Sequence, residues 1–158
     1  MITYEEFFKA YPRKEIHWDR YIYINQALAI ISQTELADIR RHGYSLKSNE
    51  IIFKYKFHKE DCDSKENVDN GFLATLVDTV STISIMIYQK NNNPSVTLNL
   101  DLSFIENSNL KLNDEVYIIT SINNFSNNIV TMSVNLYRTN MEVVLQASHT
   151  KFKINPKF

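Results

Sequence analysis

The stretch Gly71-Phe-Leu-Ala-Thr-Leu-Val-Asp-Thr-Val-Ser-Thr-Ile-Ser-Ile-Met-Ile-Tyr88 predicts the fold of this chain. Its length, and a capping residue type at Asn70, favour one long helix. The alternating β-branched residues over positions 83–87 are instead typical of a strand, but the length of the apolar run outweighs them. Because apolar side chains surround most of the helix, we expect it to be buried.

Strands are predicted on both sides of this helix. Residues 51–58 alternate apolar and polar side chains, as a half-buried strand does, and residues 96–104 show the same alternation. Short Asn-rich connections between the later strands favour antiparallel hairpins. In chain order, the predicted strands cover residues 36–45, 51–58, 96–104, 115–123, 129–138 and 143–154.

Two helices are predicted ahead of the first strand, at residues 4–10 and 17–32. We expect residues 1–34 to form a helical extension and residues 35–158 to form the main domain. One long buried helix and about six strands define an α+β fold, with an antiparallel sheet packed on the helix. A sheet that curls around the helix explains why the helix is apolar nearly all round.

Length, composition and charge exclude several classes of protein. The 158 residues amount to about one domain, 44% of them are apolar, and the net charge of −1 argues against a nucleic-acid-binding module. No uninterrupted apolar run reaches the ~18–20 residues of a membrane-spanning helix. The first residues are acidic and lack the pattern of a secretory signal. We therefore expect a cytoplasmic location, with the mitochondrion as the alternative.

Several kinds of chemical site are excluded by residue counts. Cys62 is the only cysteine, so neither an internal disulfide nor a multi-cysteine metal cluster is expected. The only glycines are Gly43 and Gly71, which excludes the glycine-rich loops that cradle phosphates. The four histidines show no ligand spacing. The sequence therefore predicts no metal and no cofactor.

Asp78 is the one charged residue inside the long apolar helix. Its neighbours at helical spacing are Thr75, Ser81 and Thr82, which form a narrow polar stripe. A buried carboxylate is costly unless it is paired or hydrogen-bonded. Two interpretations stay open: Thr75 and Thr82 satisfy the carboxylate or the stripe faces solvent, or Asp78 is a general base or nucleophile in a pocket.

The start of the same helix is the second chemical feature. Asn70 and Gly71 are expected to present free backbone N–H groups at the positive end of the helix dipole, where a developing oxyanion can bind. Gly71 and Asp78 lie two turns apart, about 10 Å along the axis. One chain therefore cannot easily direct both groups at one carbonyl carbon, whereas two chains can. The spacing favours a dimer with composite sites.

The first twelve residues of the helix, from Gly71 to Thr82, resemble the central-helix motif of hotdog-fold acyl-CoA thioesterases. The likeness is closest to the PaaI-like branch and its thioesterase superfamily member 2 type. Two further stretches agree in order and spacing, Ser95-Val-Thr-Leu-Asn-Leu-Asp-Leu-Ser-Phe104 and Ala147-Ser-His-Thr-Lys151. The resemblance implies a hotdog fold, a homodimer or homotetramer, and hydrolysis of acyl-CoA in lipid metabolism.

The resemblance also implies roles for individual residues. The family's catalytic aspartate falls on Asp78, and its oxyanion-binding amide falls on Asn70, next to Gly71. Thr97 takes the place of a serine that positions water, and Asp63 takes the place of a loop asparagine. The residues implied to bind substrate are Phe104, Asn124, Phe125, Ser126, Asn127 and Lys151. Of these, Lys151 is the one expected to contact the phosphates of CoA.

Departures from the family pattern favour a second function. The family's His-Gly-Gly is Asp69-Asn70-Gly71 here, and Asp63 is an acceptor where the family's asparagine can also donate. We expect the carboxylates of Asp63, Asp69 and Asp78 to raise one another's pKa if they share a site. The alternative is therefore a non-catalytic hotdog module that binds acyl groups or a protein partner.

Overall fold

The structure, a computed structural model, describes residues 29–90, 93–106 and 109–154. Each main element follows from its local pattern, with a 3.6-residue apolar period in the helices and a two-residue alternation in the strands. In chain order the elements are β1 (Ala29–Ile30), α1 (Gln33–Arg41), β2 (Glu50–Lys56), a 3₁₀ turn (Lys59–Asp61), α2 (Asn70–Gln89), β3 (Ser95–Phe104), β4 (Glu115–Phe125), β5 (Ile129–Arg138) and β6 (Val143–Lys153).

All strands of the described chain belong to one antiparallel sheet in the order β1-β2-β4-β5-β6-β3. The chain leaves α2 and crosses to the edge of the sheet, where β3 pairs with the last strand, β6. β3 is therefore an edge strand with one side unpaired within this part of the chain. The predicted α+β architecture, an antiparallel sheet around one long helix, is confirmed.

Helix α2 is buried against the inner face of this sheet. Leu76, Val77 and Val80 are fully buried, and full burial of such side chains stabilises the fold by roughly 1.5–3 kcal/mol each. By length and composition α2 could cross a membrane, but over half of its most apolar window is buried inside the molecule, as in a core helix. The sheet residues packed around it come from four strands: Phe53, Tyr55, Val116, Ile118, Val134, Leu136 and Leu145.

The predicted strand over residues 36–45 is wrong, because residues 33–41 form helix α1. Ser32 caps this helix, and its backbone N–H donates to Glu35 Oε2 at 2.8 Å in a reciprocal capping box. Leu36 and Ile39, three residues apart on one helical face, pack with Ile52 in a second apolar cluster. Since Ile52 alternates with the core residue Phe53, α1 covers the opposite face of the sheet from α2.

The predicted helix over residues 17–32 is wrong at its end, because Ala29 and Ile30 form β1. Their backbone pairs with Lys54 and Phe53 of β2, a long-range contact that local periodicity does not record. The rest of that helix, and the one predicted over residues 4–10, lie outside the described residues. The boundary after residue 34 stays a prediction, and α1 runs across it.

Candidate active site

The Asp78 carboxylate is held on one of its two oxygens. Lys151 Nζ donates to Asp78 Oδ1 at 2.8 Å, and Thr97 Oγ1 donates to the same oxygen at 3.1 Å. Within the described residues, no hydrogen bond reaches Oδ2. The side chain of Asp78 is 31% exposed, whereas that of Lys151 is 3% exposed. The carboxylate is thus anchored from the inside and open on its other side.

A β-bulge in β3 directs Thr97 at the helix. Thr97 lies directly opposite Lys151, and the register then shifts so that Asn99 pairs with Thr150. The extra residue between them breaks the two-residue alternation. Thr97 and Leu100 therefore both face inward although they are three residues apart. The strict alternation predicted for this strand does not hold at Thr97.

His149 completes the inner side of this cluster. It is buried, with Nε2 3.0 Å from Thr97 Oγ1 and Nδ1 2.6 Å from Ser81 Oγ. Ser81 has a single hydroxyl proton, which can be donated either to His149 Nδ1 or to the backbone carbonyl of Asp78, 2.9 Å away. When the Thr97 hydroxyl donates to Asp78, His149 Nε2 donates to Thr97 and Nδ1 is the acceptor for Ser81. Burial, reinforced by the Lys151 cation and opposed by Asp78, lowers the pKa of His149 to about 4. The ring is therefore neutral near pH 7.

The environment of Asp78 keeps it ionised. Burial raises the pKa of the carboxyl, but the hydrogen bond and charge of Lys151, with Thr97 and His149, outweigh burial and leave the pKa below its ordinary value. The hypothesis that Thr75 and Thr82 satisfy the carboxylate is wrong. Their hydroxyls donate to backbone carbonyls one turn earlier, that of Thr82 to the carbonyl of Asp78 itself.

Two other nucleophiles can be set aside. Ser81, His149 and Asp78 form a chain that resembles a serine-hydrolase triad, but Ser81 is fully buried and beyond the reach of a substrate. Cys62 donates to the carbonyl of His58, and burial, with nearby acidic residues, raises the pKa of its thiol. An unactivated thiol is a poor nucleophile.

Among the residues that the structure describes, no three His, Cys, Asp or Glu side chains could hold a metal ion.

The start of α2 has backbone N–H groups without a hydrogen-bond acceptor in the described chain. Asp69 is the N-cap, rather than Asn70 as predicted, and its carboxylate accepts from the backbone N–H of Phe72 at 3.0 Å. The backbone N–H groups of Asn70 and Gly71 make no hydrogen bond in the described chain. A Cβ on Gly71 would meet Asp69 Oδ1 at 2.9 Å. Glycine at this position therefore leaves room for the capping carboxylate beside the first turn of the helix.

A cavity of about 450 Å³ adjoins the helix start. It brings together three predicted site residues, Asp63, Asn70 and Phe104, and its volume is typical of a small-ligand site. Backbone N–H groups of Asn67 and Lys65 donate to Asp63 and lower the pKa of that carboxyl. In the single chain the pKa values of Asp63 and Asp78 are both lowered and the two carboxylates lie in different clusters, so the mutual rise expected of a shared site stays a prediction. The apolar lining consists of Val68, Leu73, Phe104, Ile105, Leu110, Val144 and Leu145.

The predicted substrate-binding residues 124–127 lie in and beside the hairpin between β4 and β5. They are apart from both the Asp78 cluster and the cavity at the start of α2. The ring of Phe125 packs against Tyr88 at 4.9 Å between ring centroids. Lys153 Nζ, from β6, lies 3.9 Å from the centroid of the Phe125 ring. A cation thus reaches this hairpin although its own turn has no lysine.

Lys151 is in a different place from the one its predicted role requires. Its buried ammonium group pairs with Asp78, so it belongs with the candidate catalytic carboxylate and is not available to the phosphates of CoA. Sequence reasoning also missed His149. The stretch Ala147-Ser-His-Thr-Lys151 marked both positions, but not their contact with Asp78.

The antiparallel sheet wrapped around α2 is the hotdog fold. Matching the sequence against family models gives the Thioesterase superfamily over residues 66–145, about half of the chain. The chain therefore belongs to the thioesterase superfamily. No curated protein sequence matches it.

Solved structures of the same fold include two thioesterases and a phenylacetic acid degradation protein. Zebrafish thioesterase superfamily member 2 has a TM-score of 0.66 at 16% identity, over 94% of this chain and 93% of that chain. A mutant of the phenylacetic acid degradation protein PaaI from Thermus thermophilus has a TM-score of 0.61 at 16% identity, over 84% and 98%. A hypothetical thioesterase with coenzyme A from Streptococcus pneumoniae has a TM-score of 0.60 at 18% identity, over 72% and 88%. These likenesses confirm the predicted fold.

Proposed function

We propose that this protein hydrolyses acyl-CoA thioesters to the free acid and CoA, in sites shared between two subunits. Membership of the thioesterase superfamily supports thioester hydrolysis. The coenzyme A in the structurally similar Streptococcus pneumoniae protein supports a CoA ester as substrate. The observation that carries the proposal is Asp78, an ionised carboxylate with Oδ1 anchored by Lys151 and Thr97 and Oδ2 open.

The chemistry divides between the two ends of the site. The thioester carbonyl oxygen accepts from the free N–H groups of Asn70 and Gly71, which stabilise the negative charge that develops on it. Asp78 Oδ2 removes a proton from water as the water oxygen bonds to the carbonyl carbon. When the oxyanion collapses, the C–S bond breaks, and the CoA thiolate leaves and takes up the proton. Direct attack by Asp78 Oδ2, with water cleaving the resulting anhydride, is the alternative first step.

The two ends come from different chains in this proposal. Asp78 follows Asn70 by eight residues, about 12 Å along the axis, whereas both groups must reach one carbonyl. Thr97 belongs to β3, the edge strand, so the Asp78 cluster lies where a second subunit can approach. A two-fold axis beside β3 would give two equivalent sites.

The remaining predicted residues have supporting roles in this proposal. Phe104 and the cavity at the start of α2 receive the acyl group, and residues 124–127 contact CoA. Thr97 donates to Asp78 and fixes its orientation, while Asp63 stabilises the loop ahead of α2 through its bonds to Lys65 and Asn67. Each is a binding or positioning role that awaits measurement.

The test is release of free thiol from a panel of acyl-CoAs, from short to long, by the wild-type protein and by Asp78→Asn. The substitution keeps the size of the side chain and removes its basicity. We expect the variant to lose about 10²–10⁴-fold in kcat/KM, as general bases typically contribute. If no acyl-CoA is cleaved by folded wild-type protein, the proposal is wrong.

A second candidate function is the non-catalytic module that binds acyl groups. The observation in its favour is the position of Asp69, whose carboxylate caps the helix at the N–H of Phe72, lies beside Gly71 and opposes a second negative charge near the helix start. This function predicts that wild type and Asp78→Asn bind a non-hydrolysable acyl-CoA equally well and that neither releases thiol. Calorimetric titration of both proteins distinguishes the two functions.

A further inference from the structure

Lys151 is an unusual residue in this fold. Its side chain is only 3% exposed, and lysine is almost never buried to this extent unless it is paired. Strand β6 presents it on the inner face of the sheet, beneath α2. Asp78 is its one anionic partner in the described residues, with Nζ and Oδ1 2.8 Å apart.

The hydrogen bonds around Lys151 all converge on one oxygen of Asp78. Lys151 Nζ donates both to Asp78 Oδ1 and, at 3.2 Å, to Thr97 Oγ1. Thr97 Oγ1 donates a hydrogen bond to the same Oδ1 and accepts a second hydrogen bond from His149 Nε2. A threonine hydroxyl has one proton and two lone pairs, so its hydrogen-bonding capacity is used up. The network therefore fixes Oδ1 and leaves Oδ2 as the unoccupied oxygen.

Lys151 also supplies the positive charge at this site. The titratable groups that face Asp78 in the described chain are Lys151 and His149 of β6, and β3 contributes only the uncharged Thr97. His149 carries no charge at neutral pH, since its pKa is lowered to about 4. At neutral pH the positive charge that faces Asp78 is therefore that of Lys151, and His149 adds a second charge only in acid, near its own pKa of about 4.

We propose that Lys151 is a positioning residue for the candidate base: its ammonium group, with Thr97, holds Oδ1 of Asp78, keeps the carboxylate ionised in mild acid, and makes Oδ2 the reacting oxygen. This inference rests on the proposed function. It assigns Lys151 to the hydrolytic step and not to the phosphates of CoA. Without the cation, a half-buried Asp78 takes up a proton at higher pH and can rotate both oxygens into the site.

The kinetic test compares three variants with the wild-type protein over about pH 2.5–9, because the wild-type acidic limb is expected below the ordinary carboxyl value of about 3.9. Lys151→Met removes the charge at similar length, Lys151→Arg keeps it, and Lys153→Met removes the other buried lysine of β6, whose Nζ faces Phe125 and not Asp78. We expect the acidic limb of kcat/KM to move up by about 1–3 pH units in Lys151→Met, the range of an adjacent opposite charge. It should stay near the wild-type position in Lys151→Arg and Lys153→Met. An unmoved limb in folded Lys151→Met would overturn the proposal.

Carboxyl ¹³C NMR gives a second readout that does not depend on turnover. The Asp78 signal is identified by its loss in Asp78→Asn, and in wild-type protein we expect it to titrate below the ordinary value of about 3.9. A midpoint at or above that value overturns the proposal even if Lys151→Met does not fold. A low midpoint with no thiol release from any acyl-CoA would refute hydrolysis and support the pairing. Thiol release with an ordinary midpoint would refute only the role of Lys151.

Discussion

The middle and the start of helix α2 are built in opposite ways. In the middle, Asp78 Oδ1 is held within one chain by the buried Lys151 and the exposed Thr97, which the buried His149 contacts in turn. At the start, the N–H groups of Asn70 and Gly71 are free and adjoin an open cavity. The first region holds an ionised carboxylate through hydrogen bonds made within one chain. The N–H donors of the second region have no acceptor in the described chain. Because the helix keeps the two regions about 12 Å apart, one thioester carbonyl can reach both only if they come from two subunits.

This contrast separates stability from activity. Changes in the Asp78 cluster remove buried hydrogen bonds and should affect both the free energy of unfolding and turnover. Changes at the free donors of the helix start should affect turnover with little effect on stability, because no intramolecular bond is lost there.

The largest effect at the helix start is expected from Asn70→Pro, which deletes one free N–H group. Proline is favoured at the first helical position, and Asp69 already has the extended backbone, φ −72° and ψ 133°, that a following proline requires. The helix should therefore survive. Asn70→Ala, which retains the N–H, is the matched control. We expect the proline variant to be about 10²–10³-fold slower than the alanine variant, the cost of one lost oxyanion donor.

Thiol release and thermal unfolding together check this prediction. Equal turnover by the proline and alanine variants would show that Asn70 does not bind the oxyanion. A large fall in the melting temperature of Asn70→Pro would contradict the claim that the helix start tolerates this change.

The next effect concerns the free energy of unfolding in acid and the buried His149 of the Asp78 cluster. Unfolded His149 takes up a proton near pH 6.5, whereas folded His149 stays neutral down to about pH 4. The free energy of unfolding therefore falls between about pH 6.5 and pH 4, by on the order of 3 kcal/mol over the whole range. Asp78 adds its loss only below about pH 4, because its pKa is lowered in the folded state.

Urea unfolding at pH 7 and pH 4.5 measures this effect in wild type and His149→Gln. We expect the free energy of unfolding to fall more steeply with acid in wild type than in the variant. Parallel changes in the two proteins would show that His149 is not held neutral.

The smallest effect is expected from Asp69→Asn. Asparagine caps a helix about as well as aspartate, so the melting temperature should change little. The variant removes a negative charge beside the free N–H groups. Like charges near 4 Å in water repel by about 1 kcal/mol, so we expect kcat/KM to rise by about five-fold. A fall in kcat/KM would mean that the carboxylate assists the reaction.

The parts of the fold that the sequence predicts are those with strong local periodicity. Helix α2 and strands β2 to β6 have such patterns, and their predicted positions agree with the structure. Residues 36–45 were misassigned although Ser32 and Glu35 carry a readable capping-box signal. Strand β1 depends on pairing with β2, 23 and 25 residues further along the chain, and two residues have no periodicity to read.

The candidate site shows the same limit. Asp78 can be found from the sequence because a lone carboxylate in an apolar helix is an anomaly. Its partner Lys151 cannot, because the contact spans 73 residues and the bulge after Thr97 changes which side chains of β3 face the helix. His149 lay in a recognised stretch, but burial gave it its role. Long-range contacts of this kind follow from the folded sheet and not from local pattern.

The most direct test of a site shared between subunits is complementation between two inactive variants, Asp78→Asn and Asn70→Pro, refolded together in equal amounts. If each site takes Asp78 from one subunit and the helix start from the other, the mixed dimer has one site with both groups intact. Random pairing makes about half of the dimers mixed, so we predict recovery of about a quarter of wild-type thiol release. No recovery above the two separate variants, with mixed dimers confirmed by native mass spectrometry, would contradict a shared site.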